Sequence, residues 1–239
     1  MKIALVGYGK MGHMIEEIAQ QRGHEIVLRI QSGNREDFNQ DNLSKADVAI
    51  EFTGPDSAFD NVKKCLESGI PVVSGSTGWN DQLMSARSFC KEKNGSFLHA
   101  SNFSIGVNIF FELNELLAKL MASQQDYEVT MKEVHHTQKK DAPSGTAVTL
   151  AEQILSHLHR KTKWVNEPSH HSTELSIISE RVDPAPGTHF VKYSSEVDDI
   201  EIIHTAHSRK GFALGAVMAA EYIQKRKGVF TMKDVLQIT

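Results

Sequence analysis

Cysteine is nearly absent from this chain. Only two cysteines occur in 239 residues, Cys65 and Cys90, and neither has a CxxC spacing or a neighbouring histidine. So few and so distant thiols do not form a disulfide framework, and a reducing compartment is the default environment. We therefore expect both cysteines to be inert packing groups.

The chain also lacks long apolar runs and a strong excess of positive charge. No run approaches the roughly 18 apolar residues of a membrane-spanning helix, and the formal net charge of -4 argues against a general nucleic-acid binder. Because Met1–Ile3 leads directly into a predicted strand, we expect no signal peptide. These absences predict a cytoplasmic protein with no membrane or nucleic-acid partner.

The first thirty residues follow the pattern strand, glycine loop, helix, strand. Ile3–Val6 predicts a buried strand, and Gly7-Tyr8-Gly9-Lys10-Met11-Gly12 follows at once. Met14–Gln20 has helical spacing, and His24–Ile30 predicts a second strand. A G-x-G-x-x-G loop in this context is the fingerprint of a dinucleotide-binding fold. The alternative is a glycine-rich turn that binds no nucleotide.

The second predicted strand lacks an acidic residue that would bind the adenosine 2′-hydroxyl. It ends in Arg29-Ile30-Gln31-Ser32-Gly33-Asn34-Arg35. A neutral or basic end suits a 2′-phosphate, and Arg29, Arg35 or Lys10 could supply the charge. The alternative is that both arginines are merely solvated. The predicted cofactor is NADPH or NADH, with a preference for NADPH.

Three further predicted strands end in small or polar residues. The strands are Asp47–Thr53, Pro71–Ser74 and Ser96–Ala100, and Asp56 or Ser57 is expected to cap the helix after the first of them. The residues at the strand ends are Thr53-Gly54, Gly75-Ser76-Thr77 and Ser101-Asn102. Because the carboxyl ends of parallel strands share one edge of a sheet, we expect them to line the dinucleotide crevice.

The rhythm changes after Ser101. A long helix is predicted at 104–121, and strands follow at 127–134, 172–181, 189–195 and 200–205. This order predicts an open mixed or largely antiparallel sheet with a helix against one face. The predicted fold class is therefore α/β, with two domains. Residues 1–103 form a Rossmann-type parallel-sheet domain, on which 211–239 packs back, and residues 104–210 form a smaller α+β domain.

The densest polar stretch begins at the end of the strand predicted at 127–134. It reads Glu133-Val134-His135-His136-Thr137-Gln138-Lys139-Lys140-Asp141-Ala142-Pro143-Ser144-Gly145-Thr146-Ala147. The segment 143–146 predicts a turn that leads into a helix N-cap, and a helix N-terminus suits an anion. Histidine is the most frequent acid or base near pH 7. We predict that His135, His136, Lys139 and the helix start bind a carboxylate or phosphate and move a proton.

A metal site is not predicted there. Adjacent strand residues point to opposite faces, so His135 and His136 do not readily bind one ion, and no cysteine or third ligand is nearby in sequence. The alternative for the histidine pair is a hydrogen-bonded strand end.

Taken together, these segments resemble the dihydrodipicolinate reductase family of bacterial lysine biosynthesis. The matching pieces are the stretch 133–147, Ser101–Asn108, Gly75–Gly78 and Gly7–Gly12, which run through most of the chain. The resemblance implies a two-domain, tetrameric, cytoplasmic enzyme. It also implies that a hydride passes from NADPH or NADH to a cyclic imine dicarboxylate, giving tetrahydrodipicolinate.

The resemblance implies a role for each matching residue. His135 matches the family's acid/base residue and Lys139 its proton donor. His136, Gly145 and Thr146 match the groups that hold the substrate's carboxylates. The residues that match cofactor contacts are Gly7, Tyr8, Gly9, Lys10, Met11, Gly12, Gly75, Ser76, Thr77, Ala100, Ser101, Asn102 and Phe103. One loop, 181–189, keeps an Arg…Gly-x-His frame but has Asp183 where the family usually has glycine.

Two other functions compete with this interpretation. Another two-domain nicotinamide enzyme, such as an aspartate or semialdehyde dehydrogenase, would share the layout. A semialdehyde dehydrogenase needs a reactive cysteine in the crevice, for which Cys65 and Cys90 are poorly placed. A dinucleotide sensor without catalysis would not need His135 and Lys139 together.

Overall fold

The computed structural model describes residues 1–238, and the chain divides into two compact units. The first unit comprises residues 1–105 together with the C-terminal segment that begins at Lys210. The second comprises residues 106–209. Each unit contains its own β-sheet and its own hydrophobic core.

The elements alternate strictly in the first hundred residues and then become irregular. The strands are β1 (Lys2–Val6), β2 (Glu25–Ile30), β3 (Val48–Glu51), β4 (Val72–Ser74), β5 (Ser96–His99), β6 (Glu128–His135), β7 (Lys163–Val165), β8 (Glu174–Arg181), β9 (Thr188–Ser194), β10 (Asp199–Thr205) and β11 (Gly228–Phe230). The helices are α1 (Lys10–Gln21), α2 (Gln40–Leu43), α3 (Pro55–Glu67), α4 (Asn80–Glu92), α5 (Ile105–Met121), α6 (Gly145–His157), α7 (Lys210–Ile223) and α8 (Met232–Leu236), and a 3₁₀ segment spans Ser32–Asp37.

The first unit is built on a six-stranded parallel sheet in the order β11-β5-β4-β3-β1-β2. Ile3 and Leu5 pack against α1 and α7 on one face, whereas Ala4 and Val6 pack against α3 and α4 on the other. Burial on both faces explains why β1 is a continuous apolar run. The strand order reverses between β1 and β3, which is where α/β sheets of this kind bind their ligands.

The C-terminal segment belongs to this first core. Ala213, Ala216 and Val217 of α7 are fully buried against the central strands. Gly215 allows the closest approach, because a Cβ there would lie 1.7 Å from the carbonyl oxygen of Phe103. The segment after β5 is thus held in place by α7.

The second unit contains a five-stranded mixed sheet in the order β10-β9-β6-β8-β7. β6 pairs in parallel with β8 and antiparallel with β9. The side chains of α5 and α6, among them Phe110 and Leu150, pack with Val129 and Met131 of β6. One face of the sheet is therefore covered by helices, and β6 is its central strand.

The predicted fold class is confirmed, with a few local corrections. The strands β7 and β11, the 3₁₀ segment and the short helix α2 were not predicted, because these short segments lack both a period and a run of apolar residues. The expected cap at Asp56 or Ser57 was wrong: the N-cap of α3 is Gly54, and Pro55 occupies the first helical position.

Two predicted absences can be compared with the described part of the chain. None of the helices within residues 1–238 is both long and apolar enough to cross a membrane. Cys65 and Cys90 are both fully buried and unpaired, and burial raises the pKa of each thiol. The prediction that they are packing groups is confirmed.

Candidate active site

The inner face of β6 ends in two ionisable side chains. Every second residue of β6 is buried, so Val129, Met131, Glu133 and His135 point toward the same side of the sheet. Glu133 is fully buried, and His135 is 7% exposed. Because charged groups at core positions require partners, the end of β6 is built as a polar site inside the fold.

The N-terminus of α6 contributes a second feature. Ser144 is its N-cap, and its Oγ accepts the backbone N–H of Ala147 at 3.2 Å, which confirms the predicted turn into a helix start. Gly145 and Thr146 follow in the first turn, whose N–H groups have no intrahelical acceptor. A Cβ on Gly145 would meet nothing within 4 Å. The space beside Gly145 is therefore open, and the positive end of the helix dipole favours an anion there.

Glu133 joins the strand end to the helix start. The backbone N–H of Ser144 donates to both carboxylate oxygens, each at 3.1 Å, and Arg181 Nη2 donates to Oε1 at 3.0 Å. Arg181 Nη2 also donates to the backbone carbonyl of Asp141 at 2.7 Å. Burial acts to raise the pKa of the Glu133 carboxyl, but the hydrogen bonds from Ser144 and Arg181 outweigh it and hold that pKa below its usual range. The carboxylate is therefore ionised at neutral pH.

His135 lies beside this carboxylate. Its Nδ1 is 3.4 Å from Oε2 of Glu133, which is long for a hydrogen bond, and no described residue satisfies this buried nitrogen. The ring of His189 contacts it edge-on, with 5.1 Å between centroids. Burial lowers the pKa of the His135 imidazole, while the Glu133 carboxylate acts to raise it. A largely neutral imidazole near pH 7 can exchange a proton in either direction.

The connection between β8 and β9 encloses the same imidazole. The N–H of Val182 donates to the carbonyl of His135 at 2.7 Å. Gly187 lies against the ring, where a Cβ would be only 2.9 Å from Nε2. Asp183 accepts hydrogen bonds from the N–H and the hydroxyl of Thr137, at 3.1 and 2.6 Å. The aspartate that departs from the family pattern thus fastens this loop to the turn after β6.

Lys139 and His136 lie on that turn. The Lys139 Nζ is 2.8 Å from both carboxylate oxygens of Asp141, and this ammonium holds the pKa of the Asp141 carboxyl below its usual range. The Lys139 N–H donates to the carbonyl of His136 at 3.1 Å, which closes the turn. The Lys139 charge also contributes to lowering the pKa of His135, so the two groups are close enough to interact.

Three side chains of this cluster could in principle hold a metal ion. Potential ligand atoms of Glu133, His135 and His189 lie within 4.8 Å of one another. The third ligand, His189, is distant in sequence, because it lies on β9 and is paired in register with Glu133. However, Arg181 already neutralises this carboxylate, and a divalent ion would be repelled by the guanidinium across it. The donor set therefore does not suit a cation, and the absence of a metal stays a prediction.

A cavity of about 820 Å³ opens at the carboxyl ends of β1 and β3 in the first unit. Gly7 and Gly9 line it. Gly7 has a φ of +100°, and a Cβ there would lie 2.1 Å from the Phe52 carbonyl oxygen. A Cβ on Gly12 would lie 2.5 Å from the Gly7 oxygen, whereas one on Gly9 would meet nothing within 4 Å. The loop thus has the tight turn, the close helix packing and the open backbone that a pyrophosphate requires.

A second buried carboxylate organises this edge of the sheet. Glu51, at the end of β3, is fully buried and accepts the hydroxyls of Thr53, Ser74 and Ser76, together with the Thr53 N–H at 2.8 Å. The Thr53 N–H also donates to Ser76 Oγ at 2.9 Å. The ends of β3 and β4 are therefore locked to each other beside the cavity.

The cationic groups that were expected to bind the adenosine 2′-phosphate of the cofactor differ in whether they are already in an ion pair. Arg29 is paired with Glu16, to which Tyr8 also donates, so Arg29 would have to leave an ion pair to bind a 2′-phosphate, and that contact stays a prediction. Arg35 lines the cavity, and Lys10 opens α1. Both are exposed. A free phosphate could recruit either of these without first breaking an ion pair.

The structure distributes the other predicted cofactor residues along the same sheet edge. Gly7, Tyr8 and Gly9 line the cavity; Lys10, Met11 and Gly12 begin α1; Gly75, Ser76 and Thr77 follow β4; and Ala100, Ser101, Asn102 and Phe103 follow β5. Four buried or partly buried residues of the two polar clusters had no predicted role: Glu51, Glu133, Arg181 and His189. The sequence feature that could have identified them is an acidic or basic residue at an inward-facing position of an otherwise apolar strand.

Comparisons with known proteins cover both units. A family model described as the N-terminus of dihydrodipicolinate reductase matches residues 1–103, and the model of its C-terminus matches residues 106–236. A 4-hydroxy-tetrahydrodipicolinate reductase of Christiangramia forsetii is 50% identical over 238 residues, which is 99% of this chain and 98% of that protein. The enzyme of the same name from Alkaliphilus oremlandii is 33% identical and covers 98% of each chain.

The fold has a counterpart among solved structures. A dipicolinate-bound dihydrodipicolinate reductase from Paenisporosarcina sp. TG-14 superposes with a TM-score of 0.81, covering 100% of this chain and 99% of the other. The sequence identity is 22%, so this likeness is evidence for the fold alone.

Proposed function

The chain belongs to the dihydrodipicolinate reductase family, and on that premise we propose that it is an NAD(P)H-dependent 4-hydroxy-tetrahydrodipicolinate reductase. It reduces a cyclic imine dicarboxylate to tetrahydrodipicolinate in the lysine (diaminopimelate) pathway. The observation that carries the proposal is the pairing of a buried imidazole, His135, with the open N-terminus of α6 at one strand end. A dicarboxylate that must accept a proton requires both features.

Substrate binding is assigned to the second unit and dinucleotide binding to the first. The N–H groups of Gly145 and Thr146, with the positive end of the helix dipole, hold one carboxylate of the substrate. His136 and Lys139 lie on the adjoining turn and add charge and hydrogen-bond donors. Lys139 is already held by Asp141, which limits the rotamers of a long flexible side chain before the substrate arrives.

Protonation is assigned to His135 and Lys139. The nicotinamide, when bound, supplies the hydride, and the chain supplies placement and a proton. His135 is the acid/base group because its imidazole is buried, close to neutrality and held next to Glu133. Lys139 is the proton donor, since its ammonium has three donors and an ion-pair partner on one side only.

NADPH is preferred over NADH in this proposal. The end of β2 offers no carboxylate to a ribose 2′-hydroxyl, and Lys10 and Arg35 are exposed near the cavity that the glycine loop lines. Arg29 takes no part, because Glu16 holds it. The assembly is proposed as a cytoplasmic homotetramer that acts on a small molecule, without a membrane or nucleic-acid partner.

The direct test is an enzyme assay with freshly generated substrate. Oxidation of NADPH and of NADH is followed at 340 nm, and the product is identified by its conversion in a coupled assay. We expect turnover with both cofactors and a higher kcat/KM with NADPH. No turnover with either cofactor, in a preparation that binds NADPH, would rule out the proposed reaction and leave the dinucleotide sensor or another dehydrogenase.

A substitution at His135 tests its role within the reaction. His135→Gln keeps a polar side chain of similar length but removes the ionisable ring. We expect kcat to fall by about 100-fold or more, within the range for a lost acid/base group, while the Kd of NADPH stays unchanged. An unchanged kcat would remove His135 from the mechanism.

A further inference from the structure

Glu133 is the fully buried carboxylate of the second unit's site, and in the proposed reaction it neither binds the substrate nor transfers a proton. Building on the proposed function, we propose that Glu133 is a positioning residue that fixes the His135 imidazole and the start of α6 relative to each other. The acid/base group and the anion-binding helix turn are thereby held by one side chain.

The contacts of Glu133 point in both of the required directions. Toward α6, both of its oxygens accept the backbone N–H of Ser144, the N-cap residue. Toward the imidazole, Oε2 lies 3.4 Å from Nδ1 of His135. Because the carboxylate is fully buried, it cannot swing away into solvent. A shift of Glu133 would therefore displace the proton-transfer group and the helix turn together.

Arg181 keeps this side chain charged. Its guanidinium donates to Oε1 of Glu133 at 3.0 Å and to the carbonyl of Asp141 at 2.7 Å. A neutral acid at this position would leave a partly buried guanidinium without its counter-ion, which is costly. Through these two hydrogen bonds Arg181 also connects the turn that carries Lys139 to Glu133. The position of the proposed proton donor therefore depends on the same carboxylate.

An ionised carboxylate next to Nδ1 selects one tautomer of His135. The proton is favoured on Nδ1, facing Glu133, and Nε2 is left for proton exchange. The 3.4 Å separation is a charge contact and not yet a hydrogen bond, since catalytic contacts often tighten only when substrate binds. The other charged or titratable groups that act on this imidazole come from β8, β9 and the turn after β6: Arg181, His189, Lys139 and Asp141.

The test begins with Glu133→Gln, which keeps the shape and one acceptor oxygen but removes the charge. We expect kcat to fall by about 100-fold, as for a misplaced reacting group, and the KM for the imine dicarboxylate to rise by about tenfold. The Kd of dipicolinate, a stable planar dicarboxylate probe, is expected to rise in parallel. The Kd of NADPH should stay unchanged, because its site lies in the other unit.

Glu180→Gln is the matched control. It makes the same chemical change on β8, at a half-exposed carboxylate whose partner is Lys132 at 2.8 Å. We expect near wild-type kcat and KM for this variant. Glu133→Asp keeps the charge on a side chain that is one methylene shorter. Its kcat should therefore lie between those of Glu133→Gln and the wild type. Thermal unfolding of each variant shows whether a lost rate reflects a lost fold.

A second measurement does not depend on turnover. The ¹⁵N shifts of His135, assigned by comparison with His135→Gln, report its tautomer at pH 8. The wild-type protein should show Nδ1–H, and Glu133→Gln or, if that variant does not fold, Glu133→Asp should show a mixture. The opposite tautomer in the wild type, or an unchanged tautomer together with unchanged kcat, would overturn the role of Glu133. Wild-type protein without turnover, but with the Nδ1–H tautomer, would count only against the proposed reaction.

Discussion

Replacing Gly187 by alanine adds one methyl group directly against the proposed acid/base imidazole. The new Cβ would lie 2.9 Å from Nε2 and 3.2 Å from Cδ2 of His135. Gly187 also has a φ of +151°, a backbone conformation that alanine rarely adopts. The imidazole has little room to retreat, because the ring of His189 contacts it and Glu133 lies beside Nδ1.

The magnitude follows from these two effects. A non-glycine residue in such a region costs about 1–3 kcal/mol, and an extra methyl group in a packed site costs a similar amount. To reach an ordinary contact of 3.4 Å or more, the ring must move by roughly 0.5 Å. Because a 1 Å misplacement can cost about 100-fold in rate, we expect Gly187→Ala to lower kcat by about tenfold. The free energy of unfolding should fall by about 2–6 kcal/mol, the sum of the two effects.

The control is Gly69→Ala, at the end of α3. Gly69 has a φ of +75°, but a Cβ there would meet nothing within 4 Å. Its cost should be the backbone term alone, about 1–2 kcal/mol, with kcat unchanged. Urea unfolding and steady-state kinetics of both variants give the two numbers. Wild-type kcat in Gly187→Ala would refute the reasoning, since it would show that the position of the His135 ring does not limit the reaction.

Three further perturbations test the cofactor site and the buried histidine. Lys10→Ala should weaken NADPH binding several-fold more than NADH binding, whereas Arg29→Ala should affect both cofactors alike. Fluorescence titration measures the Kd of each cofactor. If Lys10→Ala weakened NADPH and NADH equally, Lys10 would not contact the 2′-phosphate. Glu51→Gln replaces one acceptor oxygen by an NH₂ group, which cannot accept the hydrogen bonds of the surrounding hydroxyl and N–H donors. The free energy of unfolding, measured in urea, should fall by about 1–3 kcal/mol. An unchanged urea midpoint would argue against the assigned hydrogen bonds. Burial, followed by the charge of a neighbouring imidazole, lowers the pKa of His189 to about 4. The unfolded chain therefore binds this proton first, and stability is lost as pH falls from about 6.5 toward 4, by about 3 kcal/mol at most. His189→Gln should reduce this acid-side loss, and an unchanged pH dependence would contradict a neutral buried imidazole.

Much of the fold could be predicted from local patterns. The run Ile3–Val6 is apolar without alternation because helices cover both faces of β1. These four residues are enough to predict a buried strand. The alternation of β6 was equally visible. The short strands β7 and β11 could not be predicted, because their formation depends on pairing with the distant strands β8 and β5. The α3 cap was mistaken because Gly54 and Pro55 together start a helix without a side-chain cap.

The predicted site was limited in a different way. Sequence proximity identified His135, Lys139 and the start of α6, which lie on one continuous segment. It could not identify His189 or Arg181 as their neighbours, because these residues reach the site through strand pairing with β6. The ion pair of Arg29 was missed for the same reason. Its partner, Glu16, lies on α1, thirteen residues away, and nothing in either local pattern indicates the ion pair.

Both halves of the chain place a buried carboxylate at the end of a sheet strand, and this placement has a physical logic. A strand end leaves backbone N–H groups and small polar side chains without ladder partners, and a carboxylate can accept several of them at once. Glu51 collects four such hydrogen bonds at the end of β3, and Glu133 collects those of Ser144 and Arg181 near the end of β6. An acidic residue at a core position departs from the usual pattern of apolar core residues, and such departures are expected at functional sites. An acidic residue at an inward position within three residues of a strand's end is therefore a sequence signal worth weighing beside the histidines and glycines of the motif itself.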